Sequence, residues 1–379
     1  MAEESVTAGL AAYERKESRK VVVAAIDGSA SHREQVGTAL TSFYRVAAFE
    51  DGDLAVSELI RMPPCVILVD ETAPPYGGAR VIERLRKMPA LAGVPIIYTT
   101  RNDRVTLAHD VRQMGADAFL IRPYRRSALI RSVSRLVNKS TEAKWERLAP
   151  ESRECLRKTV DLYNGISDVI DKDEPISYGD VKRACEPLLA VVQTSTYKSM
   201  LAGVRDHDNY SYVHSMRVAT FLSVFGHAIG LKDGDLMVLA TGGLLHDLGK
   251  MQIAHEVLNK PGKLEPEELE IMRSHVIRTL DVLDGCPDLP KGVMTIAGQH
   301  HEKLDGTGYP CGLKGSQLNE LARMASIVDV FSALTDRRVY KPPMPPEEAL
   351  GIMTAGMGNH LDRDLLARFR DVLLSASSA

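Results

Sequence analysis

At 379 residues the chain has room for two or three domains, and its apolar fraction of 44% is ordinary for globular cores. A formal net charge of −3 provides no general basic field, which argues against a nucleic acid polymer as partner and favours a small anionic ligand held by local cations. Five scattered cysteines, Cys65, Cys155, Cys185, Cys286 and Cys311, form no Cys-x-x-Cys pair, so neither a disulfide framework nor a thiolate zinc site is expected. A reducing, cytoplasmic setting fits that usage. Residues 1 to 19 carry Glu3, Glu4, Glu14 and Glu17 without an apolar core of signal-peptide length, and no stretch of about 18 apolar residues occurs anywhere. A flexible start and no membrane partner are expected.

Residues 20 to 138 alternate short apolar runs with amphipathic segments. Val21 to Ile26, Cys65 to Val69, Val94 to Tyr98 and Ala118 to Ile121 read as buried strands, which predicts a parallel, flavodoxin-like α/β sheet covered on both faces. The carboxyl ends of such strands form a binding edge, and Asp27, Asp70 and Thr100 fall there. With Asp70 at a strand end, the run Glu71 to Gly78 after it and Gly115-Ala116-Asp117 before the last strand, the segment resembles a response-regulator receiver. The resemblance implies Asp70 as phosphoacceptor, with Asp27 and Thr100 beside it. Two positions depart from the pattern: Gly28 stands where a second acid is usual, and Arg122-Pro123 where Lys-Pro is usual. A weakened magnesium site and a guanidinium in place of a compact ammonium predict a degenerate receiver with impaired phosphorylation, which senses a kinase or another signalling protein or sets dimer geometry.

Residues 139 to 199 read as a helical connector. Trp145, Leu148, Leu156, Leu162, Ile166 and Ile170 give an apolar stripe, Asp171 to Pro175 breaks it, and Tyr178 to Gln193 forms a second amphipathic helix. Long helices between a sensor and an effector suit a homodimer.

Residues 200 to 372 are helical in pattern, with residues 373 to 379 a flexible tail. An apolar run from Asp235 ends in His246 and Asp247, with Lys250 a turn later. Adjacent side chains on a helix diverge by about 100°, so this pair can grip neighbouring ions or bridge them. Other candidates recur around it: His214 on a helix from Tyr210 to Ile229, His275 on Glu267 to Asp284, the pair His300-His301 on Val293 to Lys303, and Asp329 on Asn319 to Asp336. Asp329 is flanked by Ile327, Val328, Val330 and Phe331, so its carboxylate is expected to be buried and to need a cation. Five imidazoles and two carboxylates without sulfur suit iron, manganese or zinc, and they outnumber what one four-coordinate ion needs. Two divalent metals a few ångströms apart clamp a phosphate and activate water.

His246-Asp247-Leu248-Gly249-Lys250 followed by His300-His301-Glu302-Lys303-Leu304-Asp305-Gly306-Thr307-Gly308-Tyr309-Pro310 resembles the HD-GYP family of cyclic-dinucleotide phosphodiesterases, a branch of the HD metallohydrolases. The resemblance spans about Asp206 to Leu350. It implies an all-α domain that hydrolyses cyclic di-GMP to pGpG or GMP. Carried over by motif position, it makes His214, His246, Asp247, His275, His300, His301 and Asp329 the metal ligands, with Asp247 bridging two ions, iron foremost, and Lys250 beside the scissile phosphate. Some members bind a third metal through a glutamate at the position of Tyr210, so two ions are expected. Asp305, Gly308, Tyr309 and Pro310 form a loop over the substrate, with Gly306 and Gly308 lending it flexibility, and Arg338 and Lys341 match dinucleotide-contacting positions. Val339 and Ser332 depart from the family pattern and bear on affinity. The competing readings are a non-catalytic cyclic di-GMP reader and a phosphodiesterase for mixed cyclic GMP-AMP.

Overall fold

The computed structural model describes residues 22–103, 107–172, 174–258, 260, 262–336 and 344–377. They divide into two units, one running to Ser140 and taking in Ala254–Pro261, the other comprising Thr141–Ile253 and resuming at Gly262. Residues 1 to 19, expected to be flexible, and Arg338 and Lys341 lie outside the described residues.

In the first unit β1 (Val22–Ile26), β2 (Arg45–Phe49), β3 (Val66–Asp70), β4 (Ile96–Thr100) and β5 (Ala118–Ile121) alternate with α1 (Ala30–Leu40), α2 (Gly52–Leu59), α3 (Gly78–Lys87), α4 (Leu107–Gln113) and α5 (Arg126–Val137). The strands pair in parallel in the order β2-β1-β3-β4-β5. Every residue of β1, β3 and β4 is buried, because their two-residue alternation feeds two cores. Ala24, Ile26, Ile67, Val69, Ile96 and Tyr98 pack under α2, α3 and α4. Val23, Ala25, Val66, Leu68 and Ile97 pack under α1 and α5. Strand β2 has no counterpart among the strands expected from sequence: it is an edge strand of small and half-exposed residues, Arg45-Val-Ala-Ala-Phe49, with no continuous apolar signal.

In the second unit the helices are α6 (Pro150–Asp171), α7 (Tyr178–Gln193), α8 (Tyr197–Val204), α9 (Tyr210–Ala228), α10 (Asp233–Leu245), α11 (Pro266–Arg273), α12 (His275–Asp284), α13 (Lys291–Gln299), α14 (Glu320–Thr335), α15 (Pro346–Gly356) and α16 (Arg363–Ser377). Helix α9 is central: from Ser211 to Gly226 every residue but Arg217 is buried, as its lack of a polar face requires. It packs directly on α10, and Gly243 permits the closeness, since a Cβ there would stand 2.5 Å from the Cα of Ala219. The connector helices belong to this unit. Tyr212 of α9 donates to the Leu156 carbonyl at 3.1 Å, its hydroxyl lies 3.0 Å from Thr159 Oγ1, and its ring meets Tyr163 of α6 at 5.7 Å. Trp145 donates to the Gly203 carbonyl at 2.9 Å.

Three boundaries differ from expectation in ways that bear on the site. Helix α10 stops at Leu245, so His246 is its C-cap and Asp247, at φ −113° and ψ 16°, has left the helix. Helix α13 stops at Gln299, so His300-His301 sit at a helix end and not in its middle. The expected Glu267 to Asp284 helix is interrupted at Ser274, whose hydroxyl bonds back to the Ile271 carbonyl at 2.7 Å. At the C-terminal end α16 continues through the expected tail to Ser377. No described helix is long and apolar enough to cross a membrane.

Candidate metal centre

The end of α10 forms one wall of a buried polar chamber, and five helices supply its lining. His214 comes from α9, His246 and Asp247 from the end of α10, His275 from the start of α12, His300 and His301 from the end of α13 and Asp329 from α14. Because the helix has ended at Asp247, which starts the following 3-10 turn, its carboxylate reaches both ligand groups. The seven side chains fall into two groups, Asp247 with His275, His300 and His301, and His214 with His246 and Asp329, the ligand atoms of each group lying within 4.8 Å of one another. Asp247 joins the groups: Oδ2 lies 3.2 Å from His246 Nε2 and 3.6 Å from His214 Nε2, while Oδ1 lies 3.1 Å from His275 Nε2 and 3.7 Å from His300 Nε2. Asp329 spans them too, with Oδ1 at 2.9 Å from His214 Nε2 and Oδ2 at 3.7 Å from His301 Nδ1.

Backbone carbonyls set the imidazole tautomers. A carbonyl only accepts, so His246 Nδ1 donates to Gly243 O at 2.8 Å, His275 Nδ1 to Met272 O at 2.6 Å and His300 Nδ1 to Ala297 O at 2.9 Å. In the neutral ring the lone pair is then on Nε2, aimed into the chamber. Outer hydrogen bonds of this kind orient metal-ligating histidines. His246 Nε2, His275 Nε2, His300 Nε2 and Asp247 Oδ1 are all buried without a hydrogen-bond partner, an arrangement that is costly unless something else satisfies them. Divalent cations, one at each group, would satisfy all four, so the residues fit metal.

Electrostatics agree with that fit. Burial opposes charge on Asp247, but His246 and Lys250 outweigh it and hold the carboxyl well below the usual carboxylate range. Burial likewise opposes charge on Asp329, and the bond from His214 holds it down. Burial, with the neighbouring imidazole His300, keeps His301 well below an ordinary histidine, and burial also lowers His300, so both rings stay neutral donors of lone pairs. Burial lowers His246 too, but the adjacent Asp247 overcomes it and leaves the ring raised. Lys250, on the turn after the pair, forms an ion pair with Asp247 Oδ2.

The loop after His301 is held to the chain by hydrogen bonds at its far end. Buried Glu302 accepts from the amides of Cys311 at 2.7 Å and Leu313 at 3.0 Å. Gly308 packs on the chain, where a Cβ would come within 2.4 Å of Lys303 N, so close approach and not mobility demands glycine. Gly306, at φ +83°, supplies a left-handed turn. Tyr309 stacks on His301 with centroids 4.7 Å apart, and Pro310 follows it, both partly buried. Asp305 stands apart from the chamber: it accepts from the Thr307 amide at 2.9 Å and faces His360 at 3.4 Å, so its carboxylate shapes the loop. Tyr210 lies flat against His214, 6.1 Å between centroids. Glu302 was not among the residues singled out from sequence, because its partners lie nine and eleven residues away in an aperiodic loop.

At the edge of the first unit's sheet Asp70 is already engaged. Arg122 lies 2.6 Å from its Oδ2, Thr99 donates to Oδ2 at 2.9 Å, and Thr72 donates from its hydroxyl to Oδ1 at 2.6 Å. The threonine at Asp70 is therefore Thr99; Thr100, the sequence candidate, points the other way along the strand and bonds Glu71. Asp27 pairs with His32, whose other nitrogen lies 2.6 Å from the Tyr124 hydroxyl. His32 was not among the residues singled out from sequence; its position at the start of α1, behind the Ser29 cap, was the available signal.

Comparison with known proteins agrees with this division. Residues 23–134 match the response regulator receiver domain and residues 198–365 the HD domain. A Vibrio cholerae protein named "Probable cyclic di-GMP phosphodiesterase" is 28% identical over 360 residues, covering 91% of this chain and 76% of that one. The Xanthomonas campestris "Cyclic di-GMP phosphodiesterase response regulator RpfG" is 27% identical over 299 residues, 78% of this chain and 72% of its own. The Vibrio cholerae "3'3'-cGAMP-specific phosphodiesterase 3" is 35% identical over 164 residues, 43% of this chain and 35% of that one. The His-Asp pair and the His-His-Glu to Gly-Tyr-Pro stretch both lie inside the HD-domain match, and the receiver-domain match lies ahead of it in the chain.

Proposed function

We propose that residues 200 to 372 form a metal-dependent phosphodiesterase that hydrolyses cyclic di-GMP to pGpG or on to GMP, regulated through the receiver at residues 20 to 138 and the helices of residues 139 to 199. The observation that carries the reading is the convergence of unpartnered Nε2 atoms of His246, His275 and His300 on the two oxygens of Asp247. In this reading His214, His246 and Asp329 would hold one divalent ion and His275, His300 and His301 a second, with Asp247 as a ligand between the two groups. The nitrogen-rich donor set favours iron, then manganese or zinc. Ions bound there supply Lewis acidity and water activation for in-line attack on a phosphodiester.

The chain's own residues do the rest. Asp247 keeps the two ligand groups in register, and the backbone carbonyls behind His246, His275 and His300 hold the rings in donor orientation. Lys250, paired with Asp247 on the turn after the His-Asp pair, would offset charge growing on the phosphate oxygens. Tyr309 shields the centre from the mouth side. A cytoplasmic homodimer that receives its signal from a kinase or other protein partner completes the proposal.

Protein purified without oxygen is expected to carry about two ions per chain and to convert cyclic di-GMP. The H246A/D247A variant should lose metal and at least about a thousandfold in turnover while keeping its helical circular dichroism. Wild-type turnover in that variant would overturn the site. The 35% identical cGAMP-specific relative supports a second reading, in which mixed cyclic GMP-AMP is the preferred substrate; side-by-side turnover of the two dinucleotides separates them.

A further inference from the structure

Arg273 closes α11, two residues ahead of His275. Its guanidinium carbon lies 5.3 Å from the centroid of the Tyr309 ring, and that ring lies against the His301 imidazole with planes 27° apart. Imidazole, phenol and guanidinium thus make a stepped stack running from the metal centre to its rim. His301 and Tyr309 are partly buried, whereas the Arg273 side chain is 45% exposed. Its ion pair with Glu270, 3.4 Å away and 74% exposed on the same helix, is a weak contact that an anionic ligand can displace. A guanidinium lying over an aromatic face still presents its in-plane N–H fork sideways, the geometry that recognises phosphate oxygens.

We infer that Arg273 is a substrate-binding residue that holds the second phosphodiester of a cyclic dinucleotide, the one not being cleaved, with Tyr309 as the platform that fixes the guanidinium plane. The assignment rests on the phosphodiesterase reading above. A dinucleotide needs such a second anchor, because the metal centre can clamp only one of its two phosphates at a time. A simple diester with a single phosphate has no use for it. Lysine would keep the charge and lose the fork, so it should substitute only in part.

The test compares wild-type, R273A and R273K full-length chains loaded with the same metal, on cyclic di-GMP and on bis(p-nitrophenyl) phosphate, with metal content measured for each. R273A should raise KM for cyclic di-GMP about tenfold or more, about 1.4 kcal/mol of binding, with kcat held within about twofold. R273K should fall between, and metal content and turnover of the small diester should be unchanged. An unchanged KM in R273A, beside a wild-type enzyme that cleaves cyclic di-GMP, overturns the assignment of Arg273 alone. Equal losses on both substrates, or lost metal, make Arg273 a structural residue and overturn it too. A wild-type enzyme that cleaves only the small diester overturns the dinucleotide reading itself, whatever the variants do.

Discussion

Replacing Glu302 by alanine leaves the amides of Cys311 and Leu313 without their charged acceptor. Hydrogen bonds to a charged group contribute about 1.5–3 kcal/mol each, so the loop should loosen and carry Tyr309 off His301. The expected outcome is a melting temperature several degrees lower by calorimetry and a raised KM, with Glu302→Gln intermediate; an unchanged KM would mean that the loop does not meet the substrate. At this scale legibility followed chemical rarity. Adjacent histidines and an aspartate inside an apolar helix are costly without a cation, so His300, His301 and Asp329 stood out before any geometry. Glu302, Arg273 and His32 did not, since each acquires its meaning from a partner that only the folded loop or sheet edge brings near.

The crossing of α9 and α10 sets how near His214 can come to His246, whose rings stand 5.4 Å apart. Gly243→Ala would press a methyl against the backbone of Ala219, 2.5 Å from its Cα and 2.7 Å from its nitrogen, where nothing can rotate away. Overpacking of that kind costs about 1–3 kcal/mol. Thermal denaturation should show the loss, and metal content should fall before helicity does. Gly351→Ala on α15, with open space around it, is the control and should be neutral or mildly stabilising. The helices themselves were legible from their apolar runs, but their ends were not. A sequence window cannot see that α10 stops at Leu245 or α13 at Gln299, and those two stops turn His246, Asp247, His300 and His301 inward.

Across the whole chain, the order of an α/β unit followed by a helical one was readable from periodicity alone, apart from the half-exposed edge strand β2. The regulatory state was legible only as two odd residues, Gly28 and Arg122, and the structure gives the second a place: its guanidinium sits on Asp70 where an incoming phosphoryl group would go. Incubation with acetyl phosphate and magnesium is expected to leave Asp70 unmodified by mass spectrometry; stoichiometric aspartyl phosphate there would show that Arg122 yields. Between receiver and effector the chain enters α6, which is no loose tether. Thr159, Leu156 and Tyr163 clasp Tyr212, two residues before His214 on the same helix. In a close-packed interior a displacement of α6 would be felt at Tyr212, so the helix entering the second unit is braced against one corner of the chamber without any lid having to open.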